Sequence, residues 1–173
     1  MADTQSHLLL STYLMLAFIF ISHCTASLQP QIGNPQEAAL TQARESEKLG
    51  SCSYTVQVKT SCSAFAGTDD KISIAFGDAF GNQVYIARLD DPTTDTFERC
   101  STDSFTILGP CVYKVCYLYL MRVGSDLWKP EWVRVYYGLG QSVSFTYDMF
   151  IPENVWYGFD LCNTVAPQYA LSM

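Results

Sequence analysis

Between residues 54 and 159 the sequence is a succession of short runs in which apolar and polar residues alternate. In the first run, YTVQVKT, polar residues separate Tyr54, Val56 and Val58. A period of two places such side chains on one face of a β-strand. Eight strands are predicted, at residues 54–60, 71–76, 83–89, 104–107, 112–120, 132–137, 142–147 and 155–159. Strands at this spacing are typical of an all-β antiparallel sandwich or barrel.

The N-terminus carries a different pattern, an apolar run from Leu8 to Ile21 followed by the small residues of SHCTAS. A run of this length is too short to cross the roughly 30 Å hydrocarbon core of a bilayer comfortably. The pattern predicts a signal peptide over residues 1–26 and therefore a secreted, extracellular protein. The flank MADTQSH lacks the usual Lys or Arg, so a retained signal anchor stays open as the alternative,.

Removal of residues 1–26 would change the chemistry available to the chain. Both histidines, His7 and His23, would leave together with Cys24. The mature chain would then lack the commonest general base and the commonest metal ligand. An even number of cysteines in an exported chain predicts a disulfide framework. The remaining six are Cys52, Cys62, Cys100, Cys111, Cys116 and Cys162.

Six cysteines can pair in fifteen ways, and the order of the strands favours two particular bridges. Cys62 follows the first strand and Cys100 precedes the fourth, so both lie at the same end of the fold and are expected to pair. Cys52 and Cys162 bracket the domain, and a bridge between them would close a long loop,.

That choice leaves Cys111 and Cys116 to each other. Five residues of regular strand span about 16 Å, so a bridge here requires a bulge or an irregular start to the strand. The second and third bridges are therefore open from the sequence.

The alternating region also sets the predicted domain limits. Residues 27–51 form a polar N-terminal segment in which QEAALTQARESEKLG, at 36–50, could form a short helix,. A single domain is expected over residues 52–162, followed by a C-terminal tail at 163–173,.

The order of strands and turns resembles the PLAT domain, also called the lipoxygenase homology domain. The resemblance implies an eight-stranded antiparallel β-sandwich with a binding rather than a catalytic role. It also implies a lipid surface or a protein as the partner, and calcium in some members. The segments that carry it are YTVQVKT at 54–60, AGTDDKISIAFG at 66–77, STDSFTILGP at 101–110, VYKVCYLYL at 112–120 and KPEWVRVYY at 129–137.

The cysteine-rich pieces narrow the resemblance. RLDD, FERC, GPC and WYGFDLC are similar to the plant embryo-specific protein 3 group. That similarity implies a context of embryo or seed development.

Acidic residues gather in the loops that follow the first, third and fifth strands, and these loops meet at one end of an up-and-down sandwich. Calcium takes six to eight oxygen ligands from flexible loops of this kind. In the alternative interpretation these residues are solvated turn and cap residues that pair with Arg88 and Arg99. The candidate calcium ligands are Thr68, Asp69, Asp90 and Asp126.

Trp128 and Lys129 lie in the turn-like stretch SDLWKP. An exposed indole beside a lysine suits the boundary between water and an apolar surface, so the pair is a candidate contact for a partner or a lipid. Packing is an equal alternative for Trp128, and Trp132 and Trp156 are expected to pack inside the fold.

Several function classes are disfavoured. Without Asp3 the mature chain has 16 acidic residues against 10 basic ones, which argues against nucleic acid as a partner,. No nucleophile-elbow, P-loop or dinucleotide motif is present,. The sequence therefore predicts a non-catalytic binding module without a resident cofactor. A glycan-binding module of the cell wall is the alternative, and a small hydrolase is the third hypothesis.

Overall fold

The computed structural model describes residues 29–35, 50–90 and 94–162, which form nine strands and no helix. None of these residues belongs to a helix long and apolar enough to cross a membrane. The expected signal peptide at 1–26, nearly all of the expected helix at 36–50 and the tail at 163–173 lie outside the described residues.

The strands form two antiparallel sheets packed face to face. The five-stranded sheet has the order β1-β9-β6-β3-β4, and the four-stranded sheet has the order β5-β2-β7-β8. The predicted all-β sandwich is therefore the observed fold. The strands are β1 Gln31–Gly33, β2 Ser51–Thr60, β3 Lys71–Gly77, β4 Gln83–Ile86, β5 Thr102–Pro110, β6 Tyr117–Val123, β7 Pro130–Tyr137, β8 Gln141–Thr146 and β9 Trp156–Asp160.

The eight strands expected from the alternation correspond to β2 through β9, and β1 is an addition. Gln31, in the segment expected to be polar and outside the sandwich, pairs with Gly158 of β9. The sandwich therefore begins earlier in the chain than the boundary at residue 52. The QIG sequence of β1 shows no alternation that would predict a strand. Main-chain pairing with β9 holds these three residues, and such pairing does not require a particular side-chain pattern.

The core lies between the two sheets and follows the period of two. Val56 and Val58 of β2 are fully buried, and they stand in register with Val135 and Val133 of β7. Each fully buried side chain of this size contributes roughly 1.5–3 kcal/mol through removal of apolar surface from water. The largest fully buried side chains are Trp128, Tyr54, Phe76, Phe97 and Phe145.

The expected Cys52–Cys162 bridge is wrong, and so is the Cys111–Cys116 pair that it would leave. Cys52 is instead bonded to Cys111. The reason is that β2 and β5 are neighbours, with Cys52 in register with Gly109, so Cys111 lies just beyond its partner strand.

The other two bridges also join neighbouring parts of the fold. Cys116 is bonded to Cys162 because β6 pairs with β9 and the two cysteines flank the end of that pair. Cys62 is bonded to Cys100, as the order of the strands favours. All three bridges therefore connect residues that the sheets or their adjoining loops already hold close together.

The loops divide between two ends of the sandwich. The upper end comprises residues 61–70, 87–90, 94–101, 124–129 and 147–155, and the lower end comprises residues 78–82, 111–116 and 138–140. All of the candidate calcium and partner residues lie at the upper end.

Candidate functional site

The candidate calcium residues lie together at the upper end, as expected for loops that follow the first, third and fifth predicted strands. Thr68, Asp69 and Asp90 line a small cavity of about 200 Å³, together with Asp70 and Arg88. The fourth candidate, Asp126, adjoins them, because its Oδ2 accepts a hydrogen bond from the backbone N–H of Asp69 at 3.2 Å. The β2–β3, β4–β5 and β6–β7 loops therefore meet at the upper end, as predicted from the sequence.

The carboxylates of Asp70, Asp90 and Asp126 in this cluster already have partners. Arg88 Nε lies 2.8 Å from Asp90 Oδ2, and Arg122 forms a buried ion pair with Asp70. Asp126 Oδ1 accepts the backbone N–H of Leu127 at 2.9 Å. Two guanidinium groups thus neutralise the most enclosed carboxylates.

This arrangement does not fit a calcium ion without displacing an arginine. Within the described residues no group of three or more acidic, histidine or cysteine side chains is arranged to hold a metal. The calcium binding that the PLAT resemblance implies for some members is therefore not part of the chemistry proposed for this chain.

Arg122 is central to this cluster, although its role was not predicted from the sequence. It occupies a buried position of β6, in alternation with Leu118 and Leu120, where an apolar residue is expected. Its guanidinium bonds the Asp70 carboxylate and the main-chain carbonyl of Asp126, so it joins the β2–β3 loop to the β6–β7 loop. The charged residue at an inward position of LYLMR was the available signal.

Trp128 is not the exposed contact residue that its turn-like sequence suggested. Its side chain is fully buried, its ring centroid lies 5.0 Å from that of Phe97, and its indole N–H donates to Thr60 Oγ1 at 3.2 Å. The indole turns inward because the end of the sandwich offers both an aromatic neighbour and a buried hydroxyl. Trp128 therefore anchors the β6–β7 loop.

Lys129 is likewise a supporting residue. Its ammonium lies 3.0 Å from Asp148 Oδ1, and its side chain is mostly buried. Its backbone N–H donates to the carbonyl of Ala66 at 3.0 Å, and its carbonyl accepts the N–H of Ser61 at the same distance. The expected contact role of both residues at this position is corrected to a structural one.

Three other apolar side chains point outward on the loops of the upper end. Phe65 is 80% exposed, Leu127 is 47% exposed and Phe150 is 45% exposed. We call these three residues the apolar tip. Each lies in a turn-forming stretch, SAFAG, SDLW or DMFIP, where an apolar residue has no core to fill. That mismatch is the sequence signal that could have identified them.

Main-chain hydrogen bonds hold the three loops side by side. Ala66, next to Phe65, accepts a hydrogen bond from Lys129, and the carbonyl of Trp128 accepts one from Ile151, next to Phe150. Leu127 precedes this central segment. The three side chains therefore belong to adjoining loops, presented on a common hydrogen-bonded base.

The base is further fixed from the β4–β5 loop. Thr68 N–H donates to the Phe97 carbonyl at 3.2 Å, and the Cys62–Cys100 bridge joins the same two loops. Gly67 allows this close approach, because a Cβ there would lie 2.9 Å from the backbone nitrogen of Arg99.

Phe65 itself is held in an unusual backbone conformation. Its φ is 60°, the left-handed region that bulky residues rarely adopt,. Strained conformations of this kind persist only where the surroundings impose them, and they concentrate at functional sites. The strain places a large apolar side chain in solvent.

The polar face of the four-stranded sheet bears on the glycan hypothesis. Trp132 was expected in the core but lies on this outward face. The guanidinium carbon of Arg134 lies 5.1 Å from the centroid of the Trp132 ring. Trp156 is buried, as expected. A stacked sugar would have to compete with Arg134 for the Trp132 ring.

Comparisons with known proteins agree on one family. The model of the family "Embryo-specific protein 3, (ATS3)" matches residues 39–162. Embryo-specific protein ATS3A of Arabidopsis thaliana is 57% identical over 119 residues, which cover 69% of this chain and 66% of that protein. Embryo-specific protein ATS3B of the same plant is 43% identical over 162 residues, covering 93% of this chain and 85% of that protein.

Among solved structures, the fold is similar to part of a coral 8R-lipoxygenase. The TM-score is 0.54 and the identity 25%, over 61% of this chain and 17% of the lipoxygenase chain. That structure is described as showing calcium activation through a C2-like domain. The matched region is therefore about a sixth of the lipoxygenase chain, and it has a PLAT/C2-like fold.

Proposed function

Because the chain belongs to the embryo-specific protein 3 family and has a PLAT/C2-like sandwich, we propose that it is a secreted, non-catalytic module that binds a lipid surface through the apolar tip. The observation that carries the proposal is the exposure of Phe65, Leu127 and Phe150 on three adjoining loops. The family name supports a role in embryo or seed tissue.

The energetics suit reversible association. Burial of a large apolar side chain contributes roughly 1.5–3 kcal/mol, and the three tip residues are partly shielded already. The total is therefore a few kcal/mol, which corresponds to weak, reversible binding. The loop base is preorganised by its hydrogen bonds and the Cys62–Cys100 bridge, so little ordering cost opposes binding,.

Charge selects the kind of membrane. The mature chain has 16 acidic and 10 basic residues, and Asp69, Asp126 and Asp148 lie on the same loops as the tip. Anionic lipid headgroups would be repelled. The proposal therefore specifies a zwitterionic surface, and it requires no calcium because the enclosed carboxylates are paired with arginines.

Secretion and the lack of catalysis have separate support. Three disulfides are consistent with an oxidising compartment,. The chain beyond residue 26 contains no histidine, which removes the commonest acid/base catalyst,.

Vesicle flotation tests the proposal. The mature chain, residues 27–173, is expected to float with phosphatidylcholine vesicles in the presence or absence of a calcium chelator. A Phe65→Ser, Leu127→Ser, Phe150→Ser triple variant is expected to stay at the bottom of the gradient. Leu139→Ser is the matched control, since Leu139 is fully exposed at the lower end.

An extracellular protein is the other class of partner, and the same variants distinguish it. If neither form floats but the wild-type chain captures a protein from the extracellular fraction that the triple variant fails to capture, the tip binds protein and the lipid proposal is wrong. Equal flotation of wild type and triple variant would place the membrane contact elsewhere.

A further inference from the structure

The lower end contains an apolar cavity that the proposed function does not use. Its volume is about 410 Å³, within the range of sites that hold small organic ligands,. Phe80 and Tyr113 stand at its rim, 76% and 78% exposed, with ring centroids 6.0 Å apart. Its walls include Val115, Val143, Leu161 and the Cys116–Cys162 bridge.

A second cavity of about 420 Å³ adjoins the first and has a different lining. It is bordered by Tyr137, Gln141 and Ser142, and it shares Tyr113 and Lys114 with the apolar cavity. An apolar space and a more polar space therefore meet at one pair of residues. This juxtaposition is complementary to a molecule with an apolar chain and a polar head.

Lys114 gives the junction a charge. It is exposed, it is the one cation among the described residues that line either cavity, and it forms no ion pair within the described part of the chain. Because the mature chain is acidic, with 16 acidic and 10 basic residues, a lysine that no described carboxylate pairs with favours an anionic head beside the apolar cavity,.

Asp78 fixes the rim and does not oppose an anion directly. Its Oδ1 accepts the backbone N–H groups of Phe80 at 2.9 Å and Asn82 at 3.0 Å. Its Oδ2 accepts the backbone N–H of Tyr113 at 2.8 Å and the side-chain amide of Asn82 at 2.9 Å. One carboxylate, satisfied by four donors, therefore holds both aromatic rim residues in place.

We propose that the lower end binds a single-chain lipid with an anionic head, its chain in the cavity rimmed by Phe80 and Tyr113 and its carboxylate at Lys114. The preformed rim and the disulfide in the wall lower the ordering cost of binding. This site is separate from the apolar tip, so the proposed lipid binding here does not depend on the proposed membrane contact.

Calorimetric titration of the mature chain with laurate, below its aggregation concentration, tests the proposal. Saturable binding at one site per chain is expected. Lys114→Gln should weaken laurate binding about tenfold, the loss of one charge-assisted contact, and change the affinity for lauryl alcohol by less than about twofold. Val143→Trp, which fills the cavity, should weaken binding of both compounds by about tenfold or more.

Phe80→Ala is the parallel variant, because an exposed turn residue can be replaced without loss of the fold, and it too should weaken both compounds. Phe65→Ser at the upper end is the control and should change neither. Absence of saturable binding, equal weakening of both compounds by Lys114→Gln, or insensitivity to both Val143→Trp and Phe80→Ala would overturn the proposal. Binding of laurate only after deletion of residues 163–173 would do so as well, by identifying the chain's own tail as the occupant.

Discussion

At the scale of single residues, the upper end is built from side chains whose sequence context misleads. Trp128 lies in a turn-like stretch and yet is fully buried, because Thr60 Oγ1 accepts its indole N–H and Phe97 packs on its ring. Phe65 lies in a similar stretch and is exposed. Neighbouring residues along the chain do not reveal which of the two has a partner across the fold, so the sequence alone could not decide between contact and packing for Trp128.

The role of Trp128 as an anchor can be measured by unfolding. Trp128→Ala is expected to lower the free energy of unfolding by about 3–5 kcal/mol, because it leaves a large cavity. Thr60→Val should cost about 1–3 kcal/mol by leaving the indole N–H without an acceptor. Urea unfolding measures both, with Leu139→Ser as a control that should change little. A Trp128→Ala variant of unchanged stability that loses vesicle binding would instead restore its contact role.

Buried tyrosines give the fold a dependence on alkaline pH. Burial is the largest cause of the raised pKa of Tyr54, Tyr119 and Tyr147 relative to the ordinary value of 10.0, and it also raises the pKa of Tyr117. Their stabilising contribution is fully present below pH 10 and is lost as the pH rises from 10 toward the folded-state values, because the unfolded chain ionises first.

The free energy of unfolding should therefore be level up to about pH 9 and fall above about pH 10. Tyr147→Phe should make that fall shallower. It should also cost about 1 kcal/mol at neutral pH, since the hydroxyl donates to the carbonyls of Leu118 and Tyr157, both at 3.3 Å,. Short urea unfolding experiments across this pH range provide the measurement. Stability that rises above pH 10 would contradict the assignment.

At the scale of strands and loops, alternation along the chain was sufficient for β2 through β9 and insufficient for the rest. The predicted strand at 112–120 begins only at Tyr117, because Cys111 and Cys116 are drawn into bridges with different neighbours before β6 starts. The pairing error has the same origin. Cysteine spacing carries no information on which strands are adjacent. The order of the strands within each sheet decides which cysteines lie close enough to pair.

Peptide mapping without reduction tests this strand order chemically. Cleavage after lysines and before aspartates separates all six cysteines onto different peptides, because Lys59, Asp95, Asp103, Lys114 and Asp126 lie between consecutive cysteines. Linked peptides containing Cys52 with Cys111, and Cys116 with Cys162, are expected. A peptide linking Cys52 to Cys162 would show that β5 is not the neighbour of β2.

At the scale of the whole molecule, the sandwich separates two surfaces of different chemistry. The apolar tip lies among acidic loops at the upper end, and the apolar cavity with Lys114 lies at the lower end. The sequence predicted that the upper loops would converge, because connections after odd-numbered strands share one end of an up-and-down sandwich. It could not predict that Arg88 and Arg122 would neutralise the carboxylates there, since those ion pairs depend on side-chain placement across strands.

The charge of the whole chain leads to a prediction on lipid selectivity. Replacing part of the phosphatidylcholine with phosphatidylserine should reduce flotation, and high salt should restore part of it by screening the repulsion from a mature chain with 16 acidic and 10 basic residues,. Stronger flotation with phosphatidylserine in the absence of calcium would show that a basic surface, rather than the apolar tip, makes the contact.

The proposed membrane-binding surface is the upper end of the sandwich. Titration of isotope-labelled mature chain with phosphatidylcholine nanodiscs, followed by amide NMR spectra, maps that surface residue by residue. The strongest line broadening is expected at Phe65, Leu127 and Phe150, with little change at Leu139. Broadening centred on the lower end, or on the outer face around Trp132, would contradict it.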